Sequence, residues 1–194
     1  AAGNPFNDGS RYLPGLGADF KIGLGSNLTL DATVNPDFGQ VEVDPAVVNL
    51  SDVETFFQEK RPFFIEGAST FRFGNGGANS NWSFNFPNPN FFYSRRIGRA
   101  PQASTPDAEF SDVPLGTNIL GAAKLTGKVA KNVNFGTLHA LTSREIADLQ
   151  TTGQRWQAEV EPLTYYGVMR AQKEIHDGRQ GLGVLSTLTA RRFD

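Results

Sequence analysis

The sequence contains no cysteine, which excludes disulfide bonds, thiolate metal sites and cysteine nucleophiles. Its two histidines, His139 and His176, lie in different segments without metal-ligand spacing, so no zinc site is expected. The glycine-rich residues 74–77 lack the lysine and hydroxyl of a phosphate-binding loop, and no G-x-S-x-G motif marks a serine hydrolase. The residues therefore predict no catalytic group, no cofactor and no metal ion.

Long hydrophobic runs are also missing. No stretch approaches the roughly 18 apolar residues of a membrane-spanning helix, whereas membrane-spanning strands remain open because their residues alternate. A formal net charge of -2 and the lack of a long basic run argue against a nucleic-acid partner. The chain has instead 21 glycines and 16 phenylalanines among its 194 residues. This mixture favours strands joined by glycine-rich turns.

Alternation of apolar and polar residues predicts three antiparallel strand pairs. They cover residues 18–35, 119–142 and 164–192, each with a tight turn. The tight turns fall at one end of the sheet, and the long connections 36–117 and 143–162 fall at the other. This asymmetry is typical of outer-membrane barrels. We therefore predict a mainly β fold, an antiparallel up-and-down meander that forms part of an outer-membrane-type β-barrel.

The same alternation divides the strands into two faces. The apolar set comprises Phe20, Ile22, Leu24, Leu28, Leu30, Leu125, Val129, Val184 and Leu188. The polar set comprises Asp19, Lys21, Asp31, Lys124 and Lys128. In a membrane barrel the first set faces lipid and the second faces the lumen, whereas a soluble barrel buries the apolar set. Periodicity alone does not decide between them.

Residues 36–117 form an insert that is too long for an ordinary loop, and we expect it to plug the lumen or to lie outside as a loop. Residues 47–60 predict its one short helix, capped by Ser51 and ended by Pro62. Residues 91–99 look like a strand, and residues 100–114 look like a polar loop. The remaining residues, 118–194, supply further barrel strands, so that residues 1–194 make one partial barrel region.

Two stretches of the insert hold the candidate site residues. In EKRPFFIEG (59–67), apolar side chains would anchor the insert and charged ones would pair in a polar lumen. In FFYSRRIGR (91–99), arginines beside aromatic rings would bind phosphates or sugars, line the lumen, or pair with acids of residues 36–67. The candidates are Glu59, Lys60, Arg61, Pro62, Phe63, Phe64, Glu66, Arg95, Arg96 and Arg99.

Acidic residues crowd the first third of the chain and leave two other interpretations open. A glycosidase needs two carboxylates across a cleft, and Glu54 or Glu66 would serve, with Trp82 or Trp156 as sugar platforms. Oxygen ligands for calcium would come from Asp37, Glu42 and Asp44, although these residues lack EF-hand spacing.

Three stretches resemble one bacterial family: LTLDATVNPDFGQVEVDPAVVNLSDVETFFQEKRPFFIEG (28–67), FFYSRRIGRAPQ (91–102) and HDGRQGLGVL (176–185). The sequence is similar to the domain of unknown function 5916 family. That resemblance implies a parent protein with a carbohydrate-binding family 9-like domain before a long outer-membrane barrel region. About six strands are fewer than the roughly eight of the smallest single-chain barrels, so we expect a fragment.

The leading functional prediction is a non-enzymatic partial barrel in the bacterial outer membrane, with a transport, docking or envelope role linked to carbohydrate. Its expected partners are outer-membrane lipid, the remainder of the same barrel, and a polysaccharide or oligosaccharide bound through the parent protein. The alternative is a periplasmic or cell-surface carbohydrate-active domain that resembles a glycoside hydrolase.

Overall fold

The computed structural model describes residues 4–6, 15–36, 56–72, 91–177 and 179–193, and these are mainly β. The strands are β1 (Ala18–Leu24), β2 (Leu28–Val34), β3 (Phe110–Asp112), β4 (Ile119–Ala130), β5 (Val133–Thr142), β6 (Glu145–Thr151), β7 (Gln154–Glu161), β8 (Leu163–Ile175) and β9 (Gln180–Arg192). The helices are short: α1 (Pro62–Ile65) and the 3-10 helices Ala68–Phe71 and Ser94–Arg96. In these ranges, no helix has the length and apolar character needed to cross a membrane.

Six strands form one antiparallel sheet in the order β1-β2-β4-β5-β8-β9. Its three hairpins, β1–β2, β4–β5 and β8–β9, confirm the strand pairs predicted from alternation. Because neighbouring strands run in opposite directions, the three tight turns share one end of the sheet. Within the described residues the sheet is open, with β1 and β9 at its edges.

The pairing register separates charged from apolar side chains across β1, β2 and β4. One line across the sheet joins Lys21, Asp31, Lys124, Leu138 and Val168. The next line, on the opposite face, joins Ile22, Leu30, Leu125, Thr137 and Met169. Successive residues of a strand point to opposite faces, so the charged line and the apolar line lie on different sides of the sheet.

A second, three-stranded sheet in the order β3-β6-β7 lies within stretches that were predicted to be connections. Strands β6 and β7 form a hairpin from residues 145 to 161, directly after β5 and before β8. Ala147, Leu149 and Val160 form its small buried core. The strand β3 pairs with β6 and falls in the stretch expected to be a polar loop.

Two local predictions for the insert are wrong. Residues 56–60 are not helical, residues 47–55 lie outside the described part of the chain, and Pro62 begins α1 rather than ending a helix. Proline suits the first helical position, where its missing N–H has no partner to lose. Residues 94–96 form a 3-10 helix instead of a strand.

Candidate functional site

The described part of the insert packs on the polar face of the six-stranded sheet. From the insert, Phe64, Phe71 and Ile97 are buried to 5%, 5% and 1% exposure. They pack in one cluster with Ile119, Ala122, Leu138, Ala140 and Val168 of the sheet. Small and aliphatic residues at the middle of this face therefore form an apolar surface, between charged positions, on which the insert packs.

Lys124 is the charged residue that holds α1 to the sheet. Its side chain is only 1% exposed. The Nζ atom donates to the carbonyl oxygens of Phe63 at 2.5 Å and of Glu66 at 2.6 Å, which are the backbone acceptors at the end of α1. Nζ also lies 3.5 Å from Oδ2 of Asp31 and 4.7 Å from the centre of the Phe63 ring. The buried charge of Lys124 thus has a counter-ion on β2 and two carbonyl acceptors in the insert.

A second, exposed lysine continues this charge network. Lys21 bonds to Oε2 of Glu66 and lies 3.8 Å from Oδ1 of Asp31. The hydrogen bond from Lys21 and its positive charge, together with the charge of Lys124, lower the pKa of Glu66 below its ordinary value of 4.5 despite some desolvation. Glu66 is therefore ionised at neutral pH and joins the insert to β1.

Arg61 and Glu59 join the two described segments of the insert. The Arg61 Nε atom donates to Oε1 of Glu59 at 2.8 Å, and Nη2 donates to Oε2 at 2.7 Å, in the forked geometry that suits a guanidinium and a carboxylate. Arg61 also donates to the carbonyl oxygens of Ile97 at 2.6 Å and Ser94 at 3.0 Å. Its guanidinium carbon lies 4.2 Å from the centre of the Phe64 ring.

The Glu59 carboxylate is fully engaged. Oε1 accepts the backbone N–H groups of Lys60 and Arg61, and Oε2 accepts the Ser94 hydroxyl at 2.6 Å. Burial pushes the pKa of Glu59 upward, but the hydrogen bonds and charge of Arg61, with the Ser94 bond, leave the pKa below its ordinary value of 4.5. The 3-10 helix at residues 94–96 is therefore needed locally, because it turns Ser94 and Ile97 toward this ion pair.

The three arginines of the second stretch have separate positions. Arg95 donates from Nη1 to the Gln58 carbonyl oxygen at 2.8 Å and lies 6.0 Å from the Phe57 ring centre. Arg96 is exposed, whereas Arg99 is half-buried and its carbonyl oxygen accepts both the N–H and the hydroxyl of Thr117. Arg95 thus contacts the 56–61 segment, while the Arg99 backbone contacts the approach to β4.

Gly136 of β5 allows the 3-10 helix Ala68–Phe71 to lie directly on the sheet. A Cβ atom at this position would lie 2.5 Å from Cγ2 of Thr70 and 3.2 Å from Cε1 of Phe71. Arg170, which pairs with Gly136 on β8, donates from Nη1 to the Thr70 carbonyl oxygen at 3.3 Å. The insert therefore occupies the space that a side chain at Gly136 of β5 would fill. Arg170 of the neighbouring strand β8 donates a hydrogen bond to the insert.

The other face of the sheet is apolar and bare. Phe20, Ile22, Val184 and Leu188 are 51–57% exposed, and Leu182 is 70% exposed. Leu24, Val129 and Met169 are exposed on the same face. Nothing in the described ranges covers this surface, although Leu28, Leu30 and Leu125 of the predicted apolar set are half-buried. Of the predicted polar set, Asp31 and Lys124 are buried, whereas Asp19, Lys21 and Lys128 are exposed.

The structure brings Glu59, Arg61, Phe63, Phe64 and Glu66 together at the junction of the insert and the sheet. Lys60 and Pro62 are exposed beside it. Sequence reasoning missed the roles of Gly136 and Arg170, because a glycine or an arginine in a strand pattern carries no signal of a partner far along the chain.

The residues of the two open interpretations do not converge in the described ranges. Asp37, Glu42, Asp44, Glu54 and Trp82 lie outside those ranges. Trp156 packs against the core of the three-stranded sheet, and Glu66 lies on the six-stranded sheet. Among the residues that the structure describes, no group of three or more metal-ligating side chains could hold a metal ion.

Comparison with known proteins identifies the family. The model of a family described as "Domain of unknown function (DUF5916)" matches residues 4–178 of the 194. The chain belongs to this family. Searches of curated proteins and of solved structures found no match. The family match covers strands β1 to β8 and both described parts of the insert, and only β9 of the described strands lies beyond it. The junction between the insert and the sheet therefore lies wholly within the family region.

Proposed function

We propose that the six-stranded sheet is part of a bacterial outer-membrane β-barrel, with its bare apolar face against lipid and its insert-covered face toward the lumen. The observation that carries this proposal is the inverted burial of the sheet. Charged Lys124 is 1% exposed, whereas Ile22 on the neighbouring line of the sheet is 51% exposed. A soluble β-barrel would bury the apolar line, and a membrane barrel leaves it outside.

Polar groups on the bare face support the same assignment because they satisfy one another. Nδ1 of His139 lies 2.5 Å from the Tyr165 hydroxyl, and Nε2 lies 2.8 Å from the Thr137 hydroxyl. Thr137 donates in turn to the Val168 carbonyl oxygen at 3.1 Å. A polar side chain that faces hydrocarbon needs such internal partners, because lipid supplies none.

In this proposal the insert occludes the lumen side and has a structural or gating role in transport or docking, without chemistry of its own. The ion pair of Lys21 with Glu66 and the Lys124 bonds to Phe63 and Glu66 hold it against the barrel wall. The ion pair of Arg61 with Glu59 joins the two segments of the insert. The carbohydrate link is part of the proposal and rests on the family resemblance, whereas the lipid partner is argued from the exposed apolar face.

Depth-dependent quenching tests the proposal. These 194 residues contain no cysteine, so Ile22→Cys and Val184→Cys on the apolar face and Asp19→Cys on the polar face each give one reporter position within them. In the full-length protein reconstituted into vesicles, brominated acyl chains should quench a fluorophore at residues 22 and 184 but not at residue 19. Strong quenching at residue 19, or none at residues 22 and 184, would reject the membrane orientation.

The rival function, a carbohydrate-active enzyme, is less well supported by the electrostatics. A glycosidase needs one carboxylic acid that stays protonated near its working pH, which requires a raised pKa. The pKa values of Glu59 and Glu66 are both lowered. A hydrolase assay of the full-length protein with Glu54→Gln and Glu66→Gln decides the matter, since activity lost in either variant would favour the enzyme.

A further inference from the structure

A polar cleft opens between the sheet and the insert at the end that carries the tight turns. Its volume is about 510 Å³. The polar side chains that line it include Ser69, Thr70, Lys128, Asn134, Arg170 and Gln172, and Asn27 is also among the lining residues. The residues that line the cleft include two cations and no acid. The cleft is separate from the contacts of Lys124 and Arg61, and the proposed barrel function does not involve it.

Arg170 is the unusual residue of this cleft. It is 6% exposed, so it is a buried cation. Its Nη1 donates to the Thr70 carbonyl oxygen at 3.3 Å, and its Nη2 donates to Oε1 of Gln172. Its Nε has no hydrogen-bond partner among the described residues. All of its acceptors are neutral, and no carboxylate of the described ranges forms an ion pair with it.

The contrast with two other buried cations, Lys124 of the same face and Arg61 of the insert, makes this significant. Lys124 has Asp31 as its counter-ion, and Arg61 has Glu59. A buried charge is costly unless it is paired, and the two paired cations follow that rule. Arg170 shares its cleft with a second cation, Lys128, and the nearby Glu174 carboxylate is hydrogen-bonded to Asn134 at 3.2 Å. Among the described residues, neither Arg170 nor Lys128 forms an ion pair with a carboxylate.

We propose that this cleft binds a small oxyanion, a carboxylate or a phosphate group, between Arg170 and Lys128. A guanidinium presents planar, paired donors to either group, and the amides of Asn134 and Gln172 with the hydroxyls of Ser69 and Thr70 would serve further polar atoms of the ligand. The volume is within the range of small-molecule sites. This inference does not rest on the orientation of the sheet in a membrane.

Calorimetric titration of the full-length protein with inorganic phosphate and, separately, with citrate tests the proposal. We expect at least one probe to bind, and the arm that binds tells phosphate from carboxylate. Arg170→Gln should weaken binding by a factor of about ten or more, since a charge-assisted bond contributes about 1.5–3 kcal/mol. Arg170→Lys keeps the charge but loses the fork, so it should restore binding only in part.

Two surface variants keep the test independent of folding. Lys128→Gln removes an exposed cation that lines the cleft and should also weaken binding, whereas Lys131→Gln, in the adjacent turn and outside the cleft lining, should leave the affinity unchanged. Absence of binding by both probes, or equal affinity in Lys128→Gln and Lys131→Gln, would overturn the proposal. Binding lost here with normal lipid quenching at residue 22 would leave the barrel proposal intact.

Discussion

The two faces of the six-stranded sheet differ in what covers them and in what they contain. The face under the insert holds charged residues, among them Asp31, Lys124 and Arg170, and hides them. The opposite face holds Phe20, Ile22 and Leu188 and leaves them more than half exposed. Water normally favours the reverse arrangement, because burial of apolar surface drives folding. The chain therefore stabilises its polar face by its own contacts, and in the proposed function lipid covers the other face.

Removal of the Lys124 charge should destabilise the insert-covered face most strongly. In Lys124→Ala, the carbonyl oxygens of Phe63 and Glu66 lose their donor and Asp31 loses a counter-ion, so we expect a loss of about 3–5 kcal/mol in stability. Chemical unfolding and protease cleavage of residues 56–72 measure the effect. Lys131→Ala, an exposed turn lysine, is the control, and equal stability of the two variants would contradict the role of Lys124.

The apolar contact between the insert and the sheet should be nearly as sensitive to mutation. Phe64→Ala empties a site that is 5% exposed, and we expect a loss of about 3 kcal/mol with faster proteolysis of the insert. Ile65→Ala, the next residue of the same helix and 49% exposed, serves as the matched control. Phe63→Ala should fall between them, because Phe63 is half-buried. If Phe64→Ala were as resistant as Ile65→Ala, the packing role would be wrong.

Gly136 offers a sharper test of how closely the insert approaches the polar face. Gly136→Val introduces a side chain where Thr70 and Phe71 lie, and overpacking of this kind costs about 1–3 kcal/mol. Gly23→Val is the control, since a Cβ there meets nothing within 4 Å. Thermal unfolding of both variants, with proteolysis at residues 68–72, should show the loss only for Gly136→Val. An equal loss in both would show that the close approach of Thr70 and Phe71 to Gly136 is not its cause.

Acid should also loosen the insert, and we expect this effect to be the smallest of those predicted. The folded-state pKa of Glu59 is below its ordinary value of 4.5, so its stabilisation is present above that pH and is lost as the pH falls through the folded pKa. Unfolding measured from pH 6 down to about pH 3 should therefore show a decline that Glu59→Gln reduces.

Salt separates the Glu59 effect from that of Glu66. The Glu66 side chain is 52% exposed, whereas that of Glu59 is 15% exposed. High salt should therefore screen the exposed pair with Lys21 more than the pair with Arg61. A pH dependence that is unchanged in Glu59→Gln would remove Glu59 from the explanation.

The strands were predictable because each alternates over its own length. Phe20, Ile22 and Leu24 on β1 and Leu182, Val184 and Leu188 on β9 carry the pattern locally, and a short turn sets the register. The β6–β7 hairpin also had a signal, in Ala147 and Leu149 before the Thr152–Gly153 turn. It was missed because a long connection was the simpler explanation for residues 143–162.

The insert was less predictable because distant contacts determine its form. Aromatic and β-branched residues in FFYSRRIGR favour a strand, yet Ser94 and Ile97 must turn toward Arg61, which lies 36 residues before Ile97. Pro62 looked like a helix end but lies at a helix start, a distinction made by packing of Phe64. The buried partners of Lys124 likewise depend on the tertiary fold, so they could not be predicted from one lysine in the sequence.

The separation of these contacts along the chain imposes an order on folding. The Lys124 bond to Phe63 spans 61 residues, and the Arg170 bond to Thr70 spans 100 residues. Such contacts form late, because closing a long loop is costly in entropy until the intervening strands have paired. We therefore expect the 68–71 turn to reach its final place only after β8 has joined β5. On this expectation the covered face stays open until late in folding, and an insert in its final place indicates that the strands beneath it have paired.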